Sequence, residues 1–152
     1  MPTTAKVAEF RRLHEDGTFV MPNPWDVGSA VVLERMGFPA LASTSAGAAW
    51  SAGRPDNGLS LDATLAHLRS LAEAVSVPLN ADFEGAFAVD PDGVHANVRA
   101  ATATGIAGLS VEDSTGDADR PLHDLGLAVE RVAAARAAID ESDSGVVLTA
   151  RS

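Results

Sequence analysis

The stretch DPDGVHANVRAATATGIAGLSVED, residues 90–113, contains one complete helix-to-strand unit and decides the fold class. Asp90 and Pro91 are typical of a helix start, with Asp as the N-cap and Pro in the first turn. Gly105 predicts the end of that helix, and the apolar run over residues 106–111 predicts a buried strand. Two acidic residues follow the strand directly. The unit therefore runs from helix to strand and ends in carboxylates.

The same unit recurs along the chain. The pattern predicts an N-terminal helix over residues 3–16 and then five short apolar strands separated by helices, which amount to five βα units. Parallel neighbours need a crossover connection, which a helix usually supplies, so the alternation predicts an α/β domain with a parallel sheet. We expect one domain across residues 1–152. The predicted strands span residues 19–21, 38–42, 77–81, 106–111 and 146–149.

Two architectures fit this alternation, an open doubly wound sheet and a closed (β/α)₈ TIM barrel. An open dinucleotide-binding sheet has a glycine-rich turn after its first strand, but residues 21–26 read MPNPWD and the chain contains no G-x-G-x-x-G. This favours the barrel. A closed barrel needs eight strands and about 250 residues, so we expect a partial TIM-barrel domain, truncated after the fifth strand. The longest irregular stretches, residues 43–59 and 112–121, follow the second and fourth predicted strands.

The composition removes several classes of function. The net charge of −10, from 21 acidic and 11 basic residues, opposes binding to a phosphate backbone, so we expect no nucleic-acid partner. No run of about 18 apolar residues occurs and the first residues read as an amphipathic helix, which predicts a cytoplasmic protein without a membrane segment or signal peptide. The absence of cysteine excludes disulfides and thiolate chemistry. Lys6, the single lysine, lies in a predicted helix and is no credible Schiff-base nucleophile.

Acidic residues gather at the predicted carboxyl ends of the strands, where both architectures place their ligands. Asp82 and Glu84 follow the third strand with one residue between them, and both face one cation if the chain is still extended there. Glu112 ends the next strand, about 4.8 Å away, within reach of direct or water-bridged coordination of the same ion. Taken singly, each of these residues is most simply explained as a solvated acid in a loop. Together they predict a Mg²⁺ site, with Mn²⁺ as the alternative.

Four further features border the same strand ends, and each has a simpler alternative. Arg151 suits a substrate carboxylate or phosphate, or is a solvated arginine. The polar run at residues 43–45, followed by Ala46, offers backbone N–H groups to an anion, although small residues there also fit tight packing. Asp56 fits an ordinary turn. Trp25 forms the wall of a pocket or belongs to the core.

Histidine and serine chemistry is not expected. The four histidines, His14, His67, His95 and His123, fall in or at the start of predicted helices, away from the strand ends. No G-x-S-x-G motif is present, and no pair of nucleophile and base of the hydrolase type is found. Any chemistry at the strand ends must then depend on the metal.

Taken in order, these segments resemble the isocitrate lyase and phosphoenolpyruvate mutase superfamily, from about Phe19 to the last residue. The spacing of Asp56 from the second predicted strand is similar to that of a family aspartate near the metal and the substrate. The matching segments are the first strand-to-helix segment at residues 23–26 with Ser29-Ala30, the substrate-carboxylate loop at residues 43–46, the D-x-D/E metal motif at residues 82–84, and Val111-Glu112-Asp113 and Ala150-Arg151 at the following strand ends.

The resemblance implies a Mg²⁺-dependent lyase or phosphonomutase-like enzyme that acts on a small 2-oxo or enolpyruvyl carboxylic acid. A C–C or P–C bond would break or form through an enolate-like intermediate. A homo-oligomer is implied too, because the family's C-terminal part is used in subunit exchange. The implied roles are metal ligation by Asp82, Glu84 and Glu112, catalysis by Asp56 and Arg151, and substrate binding by Trp25, Thr44, Ser45, Ala46 and Arg151.

This chain departs from the family pattern in one loop, and the departures reduce the number of activities that the resemblance implies. Isocitrate and methylisocitrate lyases carry a cysteine in a lysine-rich loop after the fourth strand, where this chain has Ser114-Thr115-Gly116-Asp117, which argues against both activities. The loop also lacks the Lys and Asn pattern of true phosphoenolpyruvate mutases. The likeness is therefore to the mutase-like branch, which includes decarboxylases and oxaloacetate-type hydrolases.

A second hypothesis follows from the length of the chain alone. Five strands in an open sheet would leave two unpaired edges and apolar surface without a partner. The chain would then be a catalytically inactive half-barrel that associates with itself or with a missing partner.

Overall fold

The computed structural model describes residues 3–152; Met1 and Pro2, at the start of the predicted domain, lie outside the described residues. The described part contains six helices and four strands. Within it no helix has the length and apolar character needed to cross a membrane. The helices are α1 (Thr3–Leu13), α2 (Val27–Arg35), α3 (Ser45–Ser51), α4 (Leu61–Ala74), α5 (Pro91–Thr102) and α6 (Leu125–Glu141), and the strands are β1 (Leu41–Ala42), β2 (Leu79–Asp82), β3 (Gly108–Glu112) and β4 (Val147–Arg151).

Most helices begin at side chains that accept hydrogen bonds from the first turn. Asp90 is the N-cap of α5, with Pro91 as the first helical residue, as the sequence predicts. Ser60 caps α4 in the same way. At α2 the carboxylate of Asp26 accepts the N–H of Ser29, while the Ser29 hydroxyl accepts the N–H of Asp26, which completes a capping box. These caps fix where the chain turns back from the sheet.

The strands form one parallel sheet in the order β1-β2-β3-β4. Each strand pairs with the next strand along the chain, whereas a doubly wound sheet reverses its order at a switch point. The predicted α/β class with a parallel sheet is therefore confirmed, and the strand order is the one a barrel requires.

The first of the five predicted strands is absent. Residues 19–21 are not in a strand, so the described chain has four strands. Pro22 and Pro24 have no N–H to give to a neighbouring strand. The segment still runs beside β1, because the Ala42 N–H donates to the Pro22 carbonyl at 3.1 Å and the Asn23 side-chain amide donates to the Ala42 carbonyl at 2.9 Å. A side chain thus replaces part of the missing ladder.

Two helices differ from their predicted bounds. The N-terminal helix ends at Leu13, three residues earlier than predicted. Helix α3 lies inside the stretch 43–59, which the sequence pattern left irregular. It is seven residues long, three of them alanine, and is too short to show a hydrophobic period. Its start is fixed by Thr44, whose hydroxyl accepts the Gly47 N–H at 3.2 Å.

The two faces of the sheet pack differently. On the face opposite Asp82 and Ser110, side chains of the central strands such as Ala81 and Leu109 are fully buried in the hydrophobic core. On the other face, near the start of β3, the ring of Phe10 packs against Gly108, and a Cβ at Gly108 would lie 2.4 Å from that ring. The Arg11 guanidinium also donates to the Gly145 carbonyl at 2.7 Å. Helix α1 therefore covers the amino ends of the strands and leaves the carboxyl ends free.

Candidate active site

Strand geometry places three of the predicted site residues on one face of the sheet. Side chains alternate along a strand, and the register pairs Asp82 with Ser110 and Glu112 with Arg151. Asp82, Glu112 and Arg151 therefore project to the same side at the carboxyl ends of three neighbouring strands. This is the edge at which the sequence predicts the site.

Arg151 connects the two acids. Its Nη2 lies 2.6 Å from Glu112 Oε2, and its Nη1 lies 3.5 Å from Asp82 Oδ1. The hydrogen bond to Glu112 raises the pKa of Arg151 above its ordinary value. About half of the Arg151 side chain is exposed, so the guanidinium also faces solvent. The arginine is thus both half solvated and part of the carboxylate cluster, and its predicted role toward a substrate stays a prediction.

The polar segment after β1 binds the chain's own carboxylate. Asp82 Oδ2 accepts the Ser45 N–H at 2.9 Å and the Ser45 hydroxyl at 2.8 Å. The Asp82 N–H in turn donates to the hydroxyl of Ser43, which is buried. These three bonds fix the side chain of Asp82. In this structure Ser45 binds Asp82, and the predicted binding of a substrate carboxylate by this segment stays a prediction.

Trp25 lies over the first turn of α3. A Cβ at Gly47 would lie 2.5 Å from Trp25 Cδ1, so the indole and the helix backbone are in direct contact. Trp25 also packs edge-on against Trp50, with ring centroids 5.5 Å apart, and remains 46% exposed. The indole therefore covers the segment that contains Thr44, Ser45 and Ala46. Trp25 is therefore not a core residue, and its predicted part in a pocket wall stays a prediction.

Glu84 has the most perturbed carboxylate of the cluster. Its backbone is left-handed, with φ of 49°, and its carbonyl accepts the Glu112 N–H at 3.0 Å. Partial burial, followed by the negative charges of Asp82, Asp56 and Glu112, raises the pKa of Glu84 from its ordinary 4.5 to about 7. The charged form of Glu84 lacks enough positive charge around it. Asp82, Asp56 and Glu112 therefore all lie close enough to act on Glu84.

Asp56 and Glu84 border an open cleft of about 600 Å³ beside the cluster. The Gly58 N–H donates to the Pro55 carbonyl at 3.0 Å across Asp56, so Asp56 lies in the turn that its sequence suggests and also borders the cleft. The position of His123 differs from the prediction. It lies in the loop before α6, not away from the strand ends, and it contributes to the cleft wall. Its N–H donates to the Asp113 carbonyl at 2.9 Å.

The three predicted metal ligands do not form a ready ligand set. Within residues 3–152 no group of three or more His, Asp or Glu side chains is arranged to hold one ion. The reason lies in the ion pairs, because the Arg151 guanidinium occupies the space between Asp82 and Glu112. The chemistry of the donors nevertheless fits a hard divalent cation, since they are carboxylate oxygens with a shortage of positive charge at Glu84. Metal ligation by Asp82, Glu84 and Glu112 stays a prediction.

Sequence reasoning missed Arg131. This residue lies in α6, is 1% exposed, and donates to three carbonyls of the loop after Glu84. A signal was present in the sequence, because Arg131 stands on the buried helical stripe that continues through Ala135, Ala138 and Ile139. An arginine on an apolar stripe indicates a buried partner.

The chain is similar to known proteins in both sequence and structure. The sequence model of the family described as phosphoenolpyruvate phosphomutase matches residues 10–152. The curated 2-methylisocitrate lyase of Escherichia coli (strain K12) is 34% identical over 128 residues, which cover 80% of this chain and 43% of that protein. The crystal structure of a candidate lyase/mutase from Burkholderia cenocepacia J2315 matches with a TM-score of 0.95 at 43% identity, over 98% of this chain and 54% of that one. The complex of phosphonopyruvate hydrolase with oxalate and Mg²⁺ matches with a TM-score of 0.87 at 27% identity, over 99% of this chain and 52% of that one.

The chain spans about half the length of the relatives that it matches. Over that half, the parallel sheet and its helices superpose on structures of the isocitrate lyase and phosphoenolpyruvate mutase superfamily. The predicted fold of the TIM-barrel type, present in part, is confirmed. With a family match over almost all of its residues, the chain belongs to the phosphoenolpyruvate phosphomutase family, within the isocitrate lyase and phosphoenolpyruvate mutase superfamily.

Proposed function

We propose that the site serves a Mg²⁺-dependent lyase or phosphonomutase-like reaction of a small 2-oxo or enolpyruvyl carboxylic acid. The observation that carries the proposal is the carboxylate cluster at the strand ends, in which Glu84 is surrounded by three other acids. A single guanidinium, that of Arg151, lies among them. The cluster is short of positive charge where a divalent cation would supply it.

Asp82, Glu84 and Glu112 would hold the cation, directly or through water. All three offer the oxygen ligands that Mg²⁺ prefers. A bound Mg²⁺ supplies Lewis-acid stabilisation to negative charge that develops on a substrate oxygen. The structural relative crystallised with oxalate and Mg²⁺ supports this choice of ion, and oxalate is a mimic of the enolpyruvyl form of a small 2-oxo acid.

Arg151 and the first turn of α3 would bind the substrate carboxylate. Arg151 is half exposed at the mouth of the cluster, and a guanidinium binds a carboxylate through two parallel hydrogen bonds. The Ala46 N–H has no acceptor within residues 3–152 and lies next to Ser45, which holds Asp82. Trp25 covers this turn and would limit the access of water to the substrate.

Asp56 would act from the opposite side of the cleft. Its charge reaches Glu84, and both residues border the cleft of about 600 Å³. A carboxylate in this place can orient a substrate hydroxyl or accept its proton. The alternative of an inactive half-barrel explains neither the perturbed pKa of Glu84 nor the fixed side chain of Asp82.

A substrate panel with the full chain tests the proposal. The protein with Mg²⁺ is incubated with phosphonopyruvate and with oxaloacetate, and products are followed by ¹H and ³¹P NMR. We expect turnover of one acid that requires Mg²⁺ and falls by about a hundredfold or more in Asp82→Asn. Glu130→Gln, an exposed position of α6, is the control and should keep full activity. No turnover of any acid, or equal turnover by Asp82→Asn, would contradict the proposed reaction.

A further inference from the structure

Arg131 is a buried cation that makes no ion pair within residues 3–152. Its guanidinium binds backbone carbonyls instead. Nη1 donates to Ala88 O and, at 2.8 Å, to Val89 O, while Nη2 donates to Gly85 O at 2.7 Å. A charged donor inside the protein forms stronger hydrogen bonds than a neutral one. The three hydrogen bonds of the arginine therefore all go to one loop.

That loop, residues 84–89, is here named the Glu84 loop. It begins with the carboxylate at the centre of the acidic cluster and forms one wall of the cleft. Three of its residues that are not glycine, Glu84, Ala86 and Phe87, have left-handed backbones with φ of 49°, 58° and 56°. Such conformations are unfavourable for residues with a Cβ and persist only where the surroundings enforce them.

Arg131, which lies in the outer layer of helices, stabilises much of this left-handed backbone. The Asn97 side chain adds a bond to the Ala86 carbonyl at 2.9 Å, but each of the three arginine bonds falls on a different residue of the loop. The fit is close, because a Cβ at Gly85 would lie 3.3 Å from Arg131 Nη2. The nearest acids that act on Arg131, Asp113 and Asp90, do so through space and make no bond to it.

We propose that Arg131 is a positioning residue that holds the Glu84 loop in its left-handed shape and so fixes where the Glu84 carboxylate lies. Arg131 borders the same cleft, but within residues 3–152 its guanidinium bonds go to the three carbonyls and none goes to an acid of the cluster. The consequence for metal binding rests on the function proposed above. The consequence for the shape of the loop stands independently of it.

The test compares Arg131→Met and Arg131→Lys with Arg136→Met as the matched control. Arg136 lies in the same helix, and its bond is to the side chain of Asp140 within that helix. Amide hydrogen exchange, resolved by residue, is measured at a temperature where every variant is folded. We expect amides of residues 84–89, and that of Glu112, which donates to the Glu84 carbonyl, to exchange at least about tenfold faster in Arg131→Met, with those of β2 and of residues 108–111 unchanged. Arg131→Lys, which keeps the charge but not the fork of donors, should give an intermediate rate.

Calorimetry with Mg²⁺ alone supplies the second readout. Loss of a residue that orients a metal ligand typically weakens metal affinity by about ten- to a hundredfold, and this is the loss expected for Arg131→Met. Unchanged loop exchange in both Arg131 variants, or a Mg²⁺ affinity equal to that of Arg136→Met, overturns the positioning role. If the wild type binds no Mg²⁺, the proposed function fails, and the exchange rates alone decide the role of Arg131. If Arg131→Met does not fold, Arg131→Lys decides it by the same two measurements.

Discussion

Glu84 combines a strained backbone with an acid in an unfavourable place. A left-handed conformation costs a residue with a Cβ about 1–2 kcal/mol, and Glu84 has φ of 49°. Partial burial and three neighbouring acids also raise its pKa to about 7. A side chain that needs only to be solvated has no reason to keep either feature, and both concentrate at functional sites. We interpret Glu84 as a residue whose cost to stability is relieved when a cation binds.

Glu84→Gln should stabilise the metal-free protein in a pH-dependent way. A carboxyl whose pKa is raised in the folded state binds its proton more tightly there than in the unfolded chain. Its contribution to stability is therefore full below pH 4.5 and is lost as the pH rises through about 7. After allowance for partial exposure, Glu84→Gln should raise the free energy of unfolding by about 1 kcal/mol above that range and leave it nearly unchanged below it. Urea denaturation at a series of pH values, with a chelator present, measures the difference.

The control for the loss of one negative charge is Glu130→Gln, on the exposed side of α6. A stability difference between wild type and Glu84→Gln that stays constant from acid to neutral pH would show that Glu84 titrates normally, against the interpretation above.

Arg151 should contribute to the binding of a dicarboxylate more than to the fold. Charge-assisted hydrogen bonds contribute about 1.5–3 kcal/mol, so Arg151→Gln should weaken oxalate binding in the presence of Mg²⁺ by about ten- to a hundredfold. Arg151→Lys should recover only part of it, since an ammonium cannot form the two parallel bonds. Fluorescence of the nearby tryptophans or calorimetry gives the affinity. Arg99→Gln, an exposed arginine of α5, is the control, and an equal loss in it would assign the effect to net charge.

At the scale of elements, the position of α1 under the sheet depends on the absence of a side chain at Gly108. A Cβ there would lie 2.4 Å from the Phe10 ring and 2.6 Å from Asn80 Oδ1. Gly108→Ala should therefore lower the free energy of unfolding by about 1–3 kcal/mol through overpacking. Gly126→Ala in α6 is the matched control, because no atom lies within 4 Å of its Cβ. It should be neutral or stabilising by about 0.5–1 kcal/mol, as alanine is the better helix former, and equal effects of the two would refute the contact with Phe10.

Elements with local signals could be predicted from the sequence. Helices α4 and α5 have caps and a clear period, and the apolar strands β2, β3 and β4 were found to within a few residues. The two elements that the sequence pattern predicted wrongly or missed have physical explanations. The predicted strand at residues 19–21 has the right composition, but a strand also needs donors in the following residues, which here are Pro22 and Pro24. Helix α3 is too short for its period to be seen.

The sequence predicts which site residues group together, because the strand ends determine that grouping. It does not predict the features of the site that depend on three-dimensional contacts. Parallel strands bring their carboxyl ends to one edge, so the grouping of Asp82, Glu112 and Arg151 follows from the sequence pattern. The ion pairs of Arg151 depend on rotamers, and the left-handed turn at Glu84 depends on Arg131, which is 47 positions away in the chain. Neither leaves a local signature.

At the scale of the whole molecule, the described surface includes apolar groups that a partner would bury. Leu125 is 80% exposed and Val129 is 59% exposed on α6, and β4 is the last strand of the described sheet, with its outer residues exposed. Exposed apolar patches and unpaired strand edges favour association. We propose that the 152-residue chain is a homo-oligomer in solution.

Sedimentation velocity checks this proposal. The wild type should sediment faster than a monomer of 15.6 kDa, and Leu125→Glu/Val129→Glu should shift the distribution toward the monomer. Glu130→Gln, on the same helix, should not. A wild type that stays monomeric over a hundredfold range of concentration would contradict the proposed association.

The central claim is that the carboxylates at the strand ends hold Mg²⁺ for a small 2-oxo or enolpyruvyl carboxylic acid, and isothermal titration calorimetry with oxalate as a mimic of that acid tests it most directly. Mg²⁺ is titrated into the wild type and Glu84→Gln, and oxalate is then titrated into each Mg²⁺ complex. We predict one Mg²⁺ site per chain in the wild type, an affinity at least about tenfold lower in Glu84→Gln, and oxalate binding that requires Mg²⁺. No Mg²⁺ binding by the wild type, or equal affinity in the variant, would contradict the claim.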